Sequence, residues 1–379
     1  MFLEIIVTAA WLFPMVLFFA VVIGYLHDRK RRICIADEMI IQITTIGNAK
    51  IVSNAIRQIR AYGLKIPYRI WIITEPFVDI NGYLGADRII VVPKSFTPKS
   101  LYKARAQEYS RIVRRDEGLT RKGVKVLFLD DDTLPTKEYI EAAFLADYDI
   151  CQGVITPSIG YGRFLSHLDD LRFLNCLMFC SVFQGFGQPL WVHGEGLCVR
   201  GDAEQLVTWD YPVFASEDLV FGHMAKDKGL KWGFFHEHIC ITSPWTVRAF
   251  FTQRRRWLWG NIHAFLHVLP LRESALVIAK WISGITVYFV ATAGIPLDLL
   301  GVINLPQEIR ALTQIALAMW LAMFAYAGWV NSGKRVKHAL ISMALAWVTA
   351  TAGALVPIIA LVQGNPRRFE VIEKEDPRK

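Results

Sequence analysis

The run Val124-Lys125-Val126-Leu127-Phe128-Leu129, followed directly by Asp130-Asp131-Asp132, decides the fold of this chain. It predicts an apolar strand that ends in three carboxylates. A strand that is apolar along its length is typical of a parallel sheet covered by helices on both faces. Ligands of such sheets bind at the carboxyl ends of the strands, so the aspartates mark the predicted binding edge.

Strand-like and helix-like segments alternate around this run, which is the pattern of an α/β sheet. The predicted strands are 39–45, 68–74, 88–92, 124–129 and 149–155, and the predicted helices are 48–62, 101–115 and 136–145. Pro135 suits the first turn of the last helix. Thr45 and Glu75 fall at strand ends, as the aspartates do.

Four long apolar runs lie outside this region, at 3–26, 276–305, 311–330 and 338–362, in a chain that is 53% hydrophobic. Because a membrane-spanning helix needs roughly 20 apolar residues, each run qualifies as a span. We predict an N-terminal anchor with a basic stop-transfer segment (1–35), a water-soluble α/β domain (36–271) and a C-terminal membrane region with a charged tail (272–379). The first run has no basic segment before it and is too long for a cleaved signal peptide.

Basic clusters predict the orientation of these runs. Residues 29–32 (Arg-Lys-Arg-Arg) predict that the α/β domain lies in the cytoplasm by the positive-inside rule, and the loop 334–337 is basic as well. Four spans would put the tail outside, yet Arg367 and Arg368 directly follow the last run. The Gly- and Pro-interrupted runs 276–305 and 338–362 are therefore candidates for a re-entrant or interfacial segment.

The net charge of +8 comes partly from these clusters, which anionic lipid would attract. No basic stripe is interleaved with aromatic residues, so nucleic acid is not an expected partner. The six cysteines show no metal-ligand spacing. Cys176 and Cys180 stand one helical turn apart in an apolar stretch and are predicted to be reduced core thiols.

The segment Phe164–Phe183 is apolar but carries Asp169, Asp170 and Arg172. It is too polar for a span. Two readings fit it: a helix at the membrane interface, or a buried helix beneath the acceptor site.

Three clusters could carry chemistry, and each has a structural alternative. A single aspartate at a helix entry is common, but three adjacent carboxylates need a cation, which a hard divalent metal shared with phosphate supplies. Glu217-Asp218 could be a helix start capped by Ser216, or a proton acceptor. Gln253-Arg254-Arg255-Arg256-Trp257, on a helix predicted over 245–260, could anchor the domain at the membrane surface or bind a diphosphate through guanidinium groups.

In this order, the three clusters resemble the membrane-integrated family-2 inverting glycosyltransferases, the group of cellulose, chitin and hyaluronan synthases. Lys103-Ala104-Arg105-Ala106 and Ser243-Pro244-Trp245 look most like the egghead-type β-1,4-mannosyltransferases. The resemblance covers about residues 38–265. It implies a GT-A fold, a Rossmann-like and mostly parallel sheet, joined to transmembrane helices.

The resemblance also implies a role for each matching position. Asp218, with Glu217, would be the catalytic base, and Asp132 and Asp130 would hold Mn²⁺ or Mg²⁺, with His238 as a further candidate ligand. The donor would contact Thr45, Glu75, Lys103, Arg105, Asp130, Asp131 and Arg256. The acceptor would contact Gly194, Glu195, Gly196, Gln253 and Trp257.

The sequence therefore predicts an inverting transferase that moves a sugar from GDP-mannose, or next a UDP-sugar, to a membrane-associated acceptor, with a glycolipid favoured. Membrane lipids are the other expected partner. A small processive polysaccharide synthase is the enzymatic alternative, and a nucleotide-binding membrane sensor is the non-enzymatic one. A sensor would gain nothing from the carboxylates at 130–132 and 217–218. Oligomeric state and product length stay open.

Overall fold

The computed structural model describes residues 2–28, 33–34, 36–366 and 370. The predicted basic clusters at 29–32 and 367–368 lie outside the described residues. Eight strands form one sheet in the order β3-β2-β1-β4-β7-β6-β8-β5. They are β1 (Glu38–Thr44), β2 (Tyr68–Thr74), β3 (Arg88–Val91), β4 (Val124–Asp130), β5 (Thr133–Pro135), β6 (Ile150–Ile159), β7 (Leu197–Arg200) and β8 (Trp232–Thr242).

Helices follow the strands and cover the sheet. They are α1 (Phe2–Asp28), α2 (Ala49–Ala61), α3 (Tyr102–Asp116), α4 (Lys137–Leu145), α5 (Phe164–Leu168), α6 (Asp170–Asn175), α7 (Ser181–Gly185), α8 (Gly201–Glu204), α9 (Glu217–Asp227), α10 (Val247–His267), α11 (Leu271–Leu299), α12 (Gln307–Asn331) and α13 (Val336–Gln363). A single π-helical turn, Cys176–Cys180, joins α6 to α7.

The sheet is mostly parallel, because only β7 and β5 run against the other described strands. Along β4, Leu127 and Leu129 pack into one apolar cluster, whereas Val126 and Phe128 pack into another. The sheet thus has a core on each face, as its continuous apolar strands predict. The predicted GT-A-type α/β domain with several long apolar helices is confirmed.

Lys125 interrupts the apolar run of β4 and is buried. Its Nζ donates to the carbonyl oxygens of Ala143, Phe144 and Ala146 at 3.0, 2.8 and 2.5 Å. These carbonyls end α4 and have no partner within that helix. The lysine therefore caps α4 from inside the core, which explains a charge in a central strand.

One local prediction is wrong. Pro135 does not begin α4 but ends β5, which pairs with β8. Thr136 is the N-cap instead, and its hydroxyl accepts from Tyr139 N at 3.2 Å. The other predicted strands and helices agree with the structure to within a few residues at their ends, except that the helix predicted over 245–260 continues to His267.

Four helices, α1, α11, α12 and α13, are long and apolar enough to cross a membrane by length and composition. They match the four apolar runs, and α11 and α13 continue through Pro296 and Pro357 without a break. The most apolar stretch of α11 is 0% buried, whereas that of α13 is 33% buried.

α13 packs mainly against α12 and also contacts the α/β domain. Near its start, Ser342 Oγ lies 2.8 Å from His167 Nδ1 of α5. Near its end, Trp259 Nε1 of α10 donates to Ala360 O at 2.9 Å. A helix of 28 residues is about 42 Å long, so contacts at both ends mean that it runs beside the domain. The helix α12 is covered to a similar extent, with 28% of its most apolar stretch buried.

Candidate active site

The strand ends of β1 and β4 meet at the predicted edge of the sheet. Thr45 Oγ1 donates to Asp131 Oδ2 at 3.2 Å, and Asn48 Nδ2 donates to the same oxygen at 2.6 Å. Asn48 is in the left-handed region, with φ of 54°. Asp131 is buried, and the hydrogen bonds that it accepts link the loop after β4 to the loop after β1. It therefore shapes this edge of the site from beneath.

Beside it, Glu75 follows β2 and pairs with Arg105 of α3 at 2.6 Å. Arg105 also donates to the carbonyls of Phe96 and Pro93 at 3.0 and 2.7 Å. The predicted donor residues Glu75 and Arg105 are thus brought together, and the guanidinium fixes the orientation of the carboxylate.

Lys103 connects two of the sequence clusters. Its Nζ lies 2.5 Å from Asp130 Oδ1 and 3.4 Å from Glu217 Oε1. Burial disfavours its charge, but the carboxylates around it, led by Asp130 and Glu217, outweigh burial and raise the pKa of Lys103 above its ordinary value. The lysine is therefore a permanent cation inside an acidic cluster.

Asp218 stands at the start of α9. Its Oδ1 accepts from Leu219 N at 2.9 Å. Burial is the main cause that raises the pKa of Asp218 to about 7; the adjacent Glu217 carboxylate adds to this, while Lys103 opposes it. A carboxyl group with a pKa near neutrality is suited to accept and release a proton at physiological pH.

Ser216 occupies the N-cap position of α9, but its side chain makes no cap hydrogen bond and its φ is 64°. The side chain is turned toward α10, because a Cβ at Gly260 would lie 2.7 Å from Ser216 Oγ. The capping interpretation of Ser216 is therefore wrong. The strained backbone of Ser216 directs its side chain toward Gly260, where α10 lies close to the start of α9.

The loop Gly194–Gly196 lies against the side chains of Lys103 and Asp218. A Cβ at Gly194 would lie 2.5 Å from Lys103 Nζ and 3.5 Å from Asp218 Oδ2, so only glycine leaves these groups undisturbed. Glu195 forms an ion pair with Arg172 of α6. Burial opposes the charge of Glu195, but Arg172, His193 and Lys103 lower its pKa to about 2.

The three adjacent arginines at 254–256 of α10 face different partners. Arg254 pairs with the buried Asp169, and Arg255 Nε donates to Gly364 O at 2.8 Å. Burial is the main influence on Arg256 and lowers its pKa, while the carboxylates of Glu217, Asp130, Asp132 and Glu195 act in the opposite direction. Its Nη1 also donates to Glu370 O at 2.7 Å. Arg256 is thus the arginine of this motif that belongs to the acidic cluster.

The other two predicted residues of α10 lie nearby. Gln253 is buried and its Oε1 accepts from Arg254 Nη1 at 3.1 Å. The Trp257 ring lies under two guanidinium groups, with Arg172 Cζ at 4.8 Å and Arg254 Cζ at 5.5 Å from its centre.

His238 is not brought to the aspartates. Its ring stacks on Phe173 with centroids 6.5 Å apart, and its pKa is lowered by burial, with Cys176 opposing this. The register of β8 sets Ile241, not His238, opposite Thr133, the residue after Asp132. The structure gives no support to His238 as a ligand of the predicted metal.

Arg172 is the functional candidate that sequence reasoning missed. Its pKa is raised because Glu195 and Asp169 outweigh burial, the largest single influence. Arg172 contacts both Glu195 of the acceptor-side loop and the ring of Trp257. The signal was present as unexplained charges in the apolar segment 164–183, and their burial favours the interpretation of this segment as a buried helix under the site.

The sheet, the acidic cluster at its edge and the arginine helix above it are the arrangement of a nucleotide-sugar-dependent transferase domain. A model of glycosyl transferase family group 2 matches residues 125–358, more than half of the chain. The chain belongs to this family.

Named relatives agree with the resemblance to egghead-type enzymes. The β-1,4-mannosyltransferase egh of Drosophila melanogaster is 27% identical over 235 residues, covering 58% of this chain and 49% of that protein. The β-1,4-mannosyltransferase bre-3 of Caenorhabditis elegans is 30% identical over 241 residues, with the same 58% and 49% covered. The chain spans about half the length of the curated relatives it matches.

Among solved structures, the mannosyltransferase PcManGT from Pyrobaculum calidifontis, in complex with GDP-Man and Mn²⁺, aligns over 90% of this chain and 99% of its own, with a TM-score of 0.45 and 15% identity. Glucosyl-3-phosphoglycerate synthase from Mycobacterium tuberculosis aligns over 58% of this chain and 73% of its own, with a TM-score of 0.35 and 12% identity.

Proposed function

We propose that this chain is an inverting glycosyltransferase that moves a sugar from a nucleotide diphosphate to a membrane-associated acceptor and forms a β-glycosidic bond. One observation carries the proposal. The half-buried carboxylate of Asp218 and the Nζ of Lys103 lie 3.5 and 2.5 Å from the Cβ position of Gly194, and Lys103 pairs with Asp130, while burial raises the pKa of Asp218 to about 7. The site thus offers a proton acceptor on one side and positive charge on the other.

In the proposed reaction, an acceptor hydroxyl attacks the anomeric carbon from the face opposite the nucleotide. Asp218 takes the hydroxyl proton as the new bond forms, and the bond to the diphosphate breaks in the same step. Arg256 stabilises the negative charge that develops on the leaving diphosphate. A single displacement inverts the anomeric centre, so an α-linked donor gives a β-linked product.

The carboxylates suit a hard divalent cation. Asp130 and Asp132 offer oxygen ligands only, and a bound metal would share the carboxylate of Asp130 with Lys103, whose Nζ lies 2.5 Å from Oδ1. We propose that Asp130 and Asp132 hold Mn²⁺ or Mg²⁺, which, when bound, neutralises diphosphate charge. Asp131 has its Oδ2 engaged by Thr45 and Asn48 and would support the site rather than bind the metal.

The favoured donor is GDP-mannose, on the resemblance to egghead-type enzymes and on the names of the relatives, with a UDP-sugar next. Thr45, Glu75 and Arg105 would form the nucleotide side, and Gly194–Gly196, Gln253 and Trp257 the acceptor side. A glycolipid is the favoured acceptor, because α10, which carries Arg256, packs directly on the apolar helix α13.

We further propose that α1, α11 and α12 cross the membrane and that the domain is cytoplasmic, as the basic residues that follow α1 in the sequence and the loop 334–337 suggest. With α13 along the interface, three crossings leave the tail on the catalytic side. This removes the conflict between four spans and the basic tail.

The test is nucleoside diphosphate release by the purified, detergent-solubilised chain with Mn²⁺, over a panel of GDP- and UDP-sugars, with and without lipid extract. We expect release from one donor that requires the lipid. Asp218→Asn should lose transfer by several orders of magnitude while it still binds donor, whereas Asp227→Asn, at the exposed end of the same helix, should behave as the parent chain.

Nucleotide binding without release from any donor would overturn the proposal in favour of a sensor. Release without added lipid, with a ladder of products, would replace the single transfer with polymer synthesis.

A further inference from the structure

A second cluster of potential metal ligands lies beneath the acceptor-side loop and contacts its Glu195. Within the described part of the chain, Cys176, Cys180 and His193 form the one group of three or more His, Cys, Asp or Glu residues whose ligand atoms all lie within 4.8 Å of one another. All three residues are buried. The cysteines come from the π-helical turn, and His193 directly precedes Gly194.

The π-helical turn sets the cysteine side of this cluster. Its hydrogen bond runs from Ser181 N to Cys176 O, one residue wider than in an α-helix. Single π-turns are uncommon and occur frequently at functional sites.

The imidazole has the orientation of a metal ligand. His193 Nε2 lies 3.6 Å from Cys176 Sγ. A tetrahedral zinc ion with bonds of about 2.3 Å to sulfur and about 2.0–2.1 Å to nitrogen would set these two atoms about 3.6 Å apart. On the other side of the ring, Nδ1 lies 3.2 Å from Glu195 O, where it can donate its proton.

A backbone carbonyl on the distal nitrogen is the usual support of a metal-bound histidine, because it leaves the other nitrogen free to coordinate. The amide of Gln152, 3.1 Å from Nδ1, donates instead to the His193 carbonyl. The Gly153 carbonyl, 3.7 Å from Cys176 Sγ, offers an oxygen as a fourth donor.

We propose that Cys176, Cys180 and His193 bind a thiophilic metal ion, Zn²⁺, that fastens the π-helical turn to the acceptor-side loop. Two thiolates and an imidazole are the donor set that zinc prefers over Mn²⁺ or Mg²⁺. The structure confirms Cys176 and Cys180 as buried core thiols, and the third member of the proposed site, His193, comes from a loop that is distant in sequence.

The proposal is tested on the full chain, purified under reducing conditions without added zinc and measured by elemental mass spectrometry. We expect about one zinc per chain. After exchange into Co²⁺, a thiolate-to-cobalt charge-transfer band should appear, which oxygen ligands at Asp130 and Asp132 cannot produce.

Cys180→Ser should lose most of the zinc and weaken this band. The matched control is Cys198→Ser, because Cys198 is an equally buried thiol that pairs with Cys151 across β6 and β7. It should keep both signals. A parent chain that binds neither zinc nor cobalt through sulfur, or zinc that persists in Cys180→Ser, would overturn the proposal. Neither readout depends on sugar transfer.

Discussion

Replacing Lys103 with glutamine should move the pH dependence of the reaction. Lys103 and Asp218 both face Gly194, whose Cβ position lies 2.5 Å from Lys103 Nζ and 3.5 Å from Asp218 Oδ2. The charged atoms are therefore at most about 6 Å apart. At an effective dielectric constant of about 20, such a pair is worth about 2.8 kcal/mol, which corresponds to a change of about 2 in pKa.

The sign follows from the role of the lysine. Lys103 holds down the pKa of Asp218, which burial and Glu217 raise to about 7. Without the cation, the pKa of Asp218 rises further, and the base is protonated over a wider range. The acid limb of kcat/KM should move from near pH 7 to near pH 9, and at pH 7 the ionised fraction falls from about one half to about 1%.

The assay is nucleoside diphosphate release across pH 5.5–10, a range of about 4.5 pH units that brackets both expected limbs. The position of the limb is the readout, because loss of the Lys103–Asp130 pair also weakens donor binding and lowers the whole curve. Lys103→Arg keeps the charge and should keep the limb near pH 7. An unmoved limb in Lys103→Gln would refute either Asp218 as the base or the electrostatic reasoning.

Further outcomes follow from other contacts. Arg172→Met removes the cation that joins Glu195 to Trp257, so kcat should fall about 10²-fold while calorimetry shows unchanged donor binding; weakened donor binding alone would contradict this. Gly194→Ala should lose activity with little change in Tm, since its methyl displaces Lys103. Gly196→Ala, at φ of 76° and against the Tyr139 hydroxyl, should instead lower the free energy of unfolding by at least about 1–2 kcal/mol, and therefore Tm. Equal Tm values for the two variants would contradict this distinction. A C-terminal epitope tag should be accessible from the catalytic side in sealed vesicles, and protection there would show that α13 crosses the membrane.

Much of the domain could be predicted from sequence, because its strands are buried on both faces and local pattern then agrees with tertiary structure. The run before Asp130 is a clear case. Pro135 was misplaced because the short strand β5 depends on pairing with β8, which is distant in sequence. Local pattern gives no sign of such a strand.

The candidate site, like the fold, could be predicted from the sequence only in part. The order of the motifs predicted that Asp130, Glu217 and Arg256 lie in one region. It did not predict that Lys103 lies between Asp130 and Glu217. That role of Lys103 depends on α3 folding over the end of β4. Arg172 was noticed only as a charge in an apolar segment, because its partners stand 23 and 85 residues away in sequence. Whether α13 crosses the membrane or lies along its surface, as proposed above, could not be predicted from hydropathy, since an apolar helix covered by protein and one covered by lipid have the same pattern.

The configuration of the transferred sugar tests the central claim most directly. The product formed from GDP-α-mannose and lipid extract, or from whichever donor is active, would be isolated and its new glycosidic bond assigned by nuclear magnetic resonance. A single displacement with Asp218 as base predicts a β-linked sugar, absent from the Asp218→Asn reaction. An α-linked product would contradict the account, because retention requires a different course of reaction at this site.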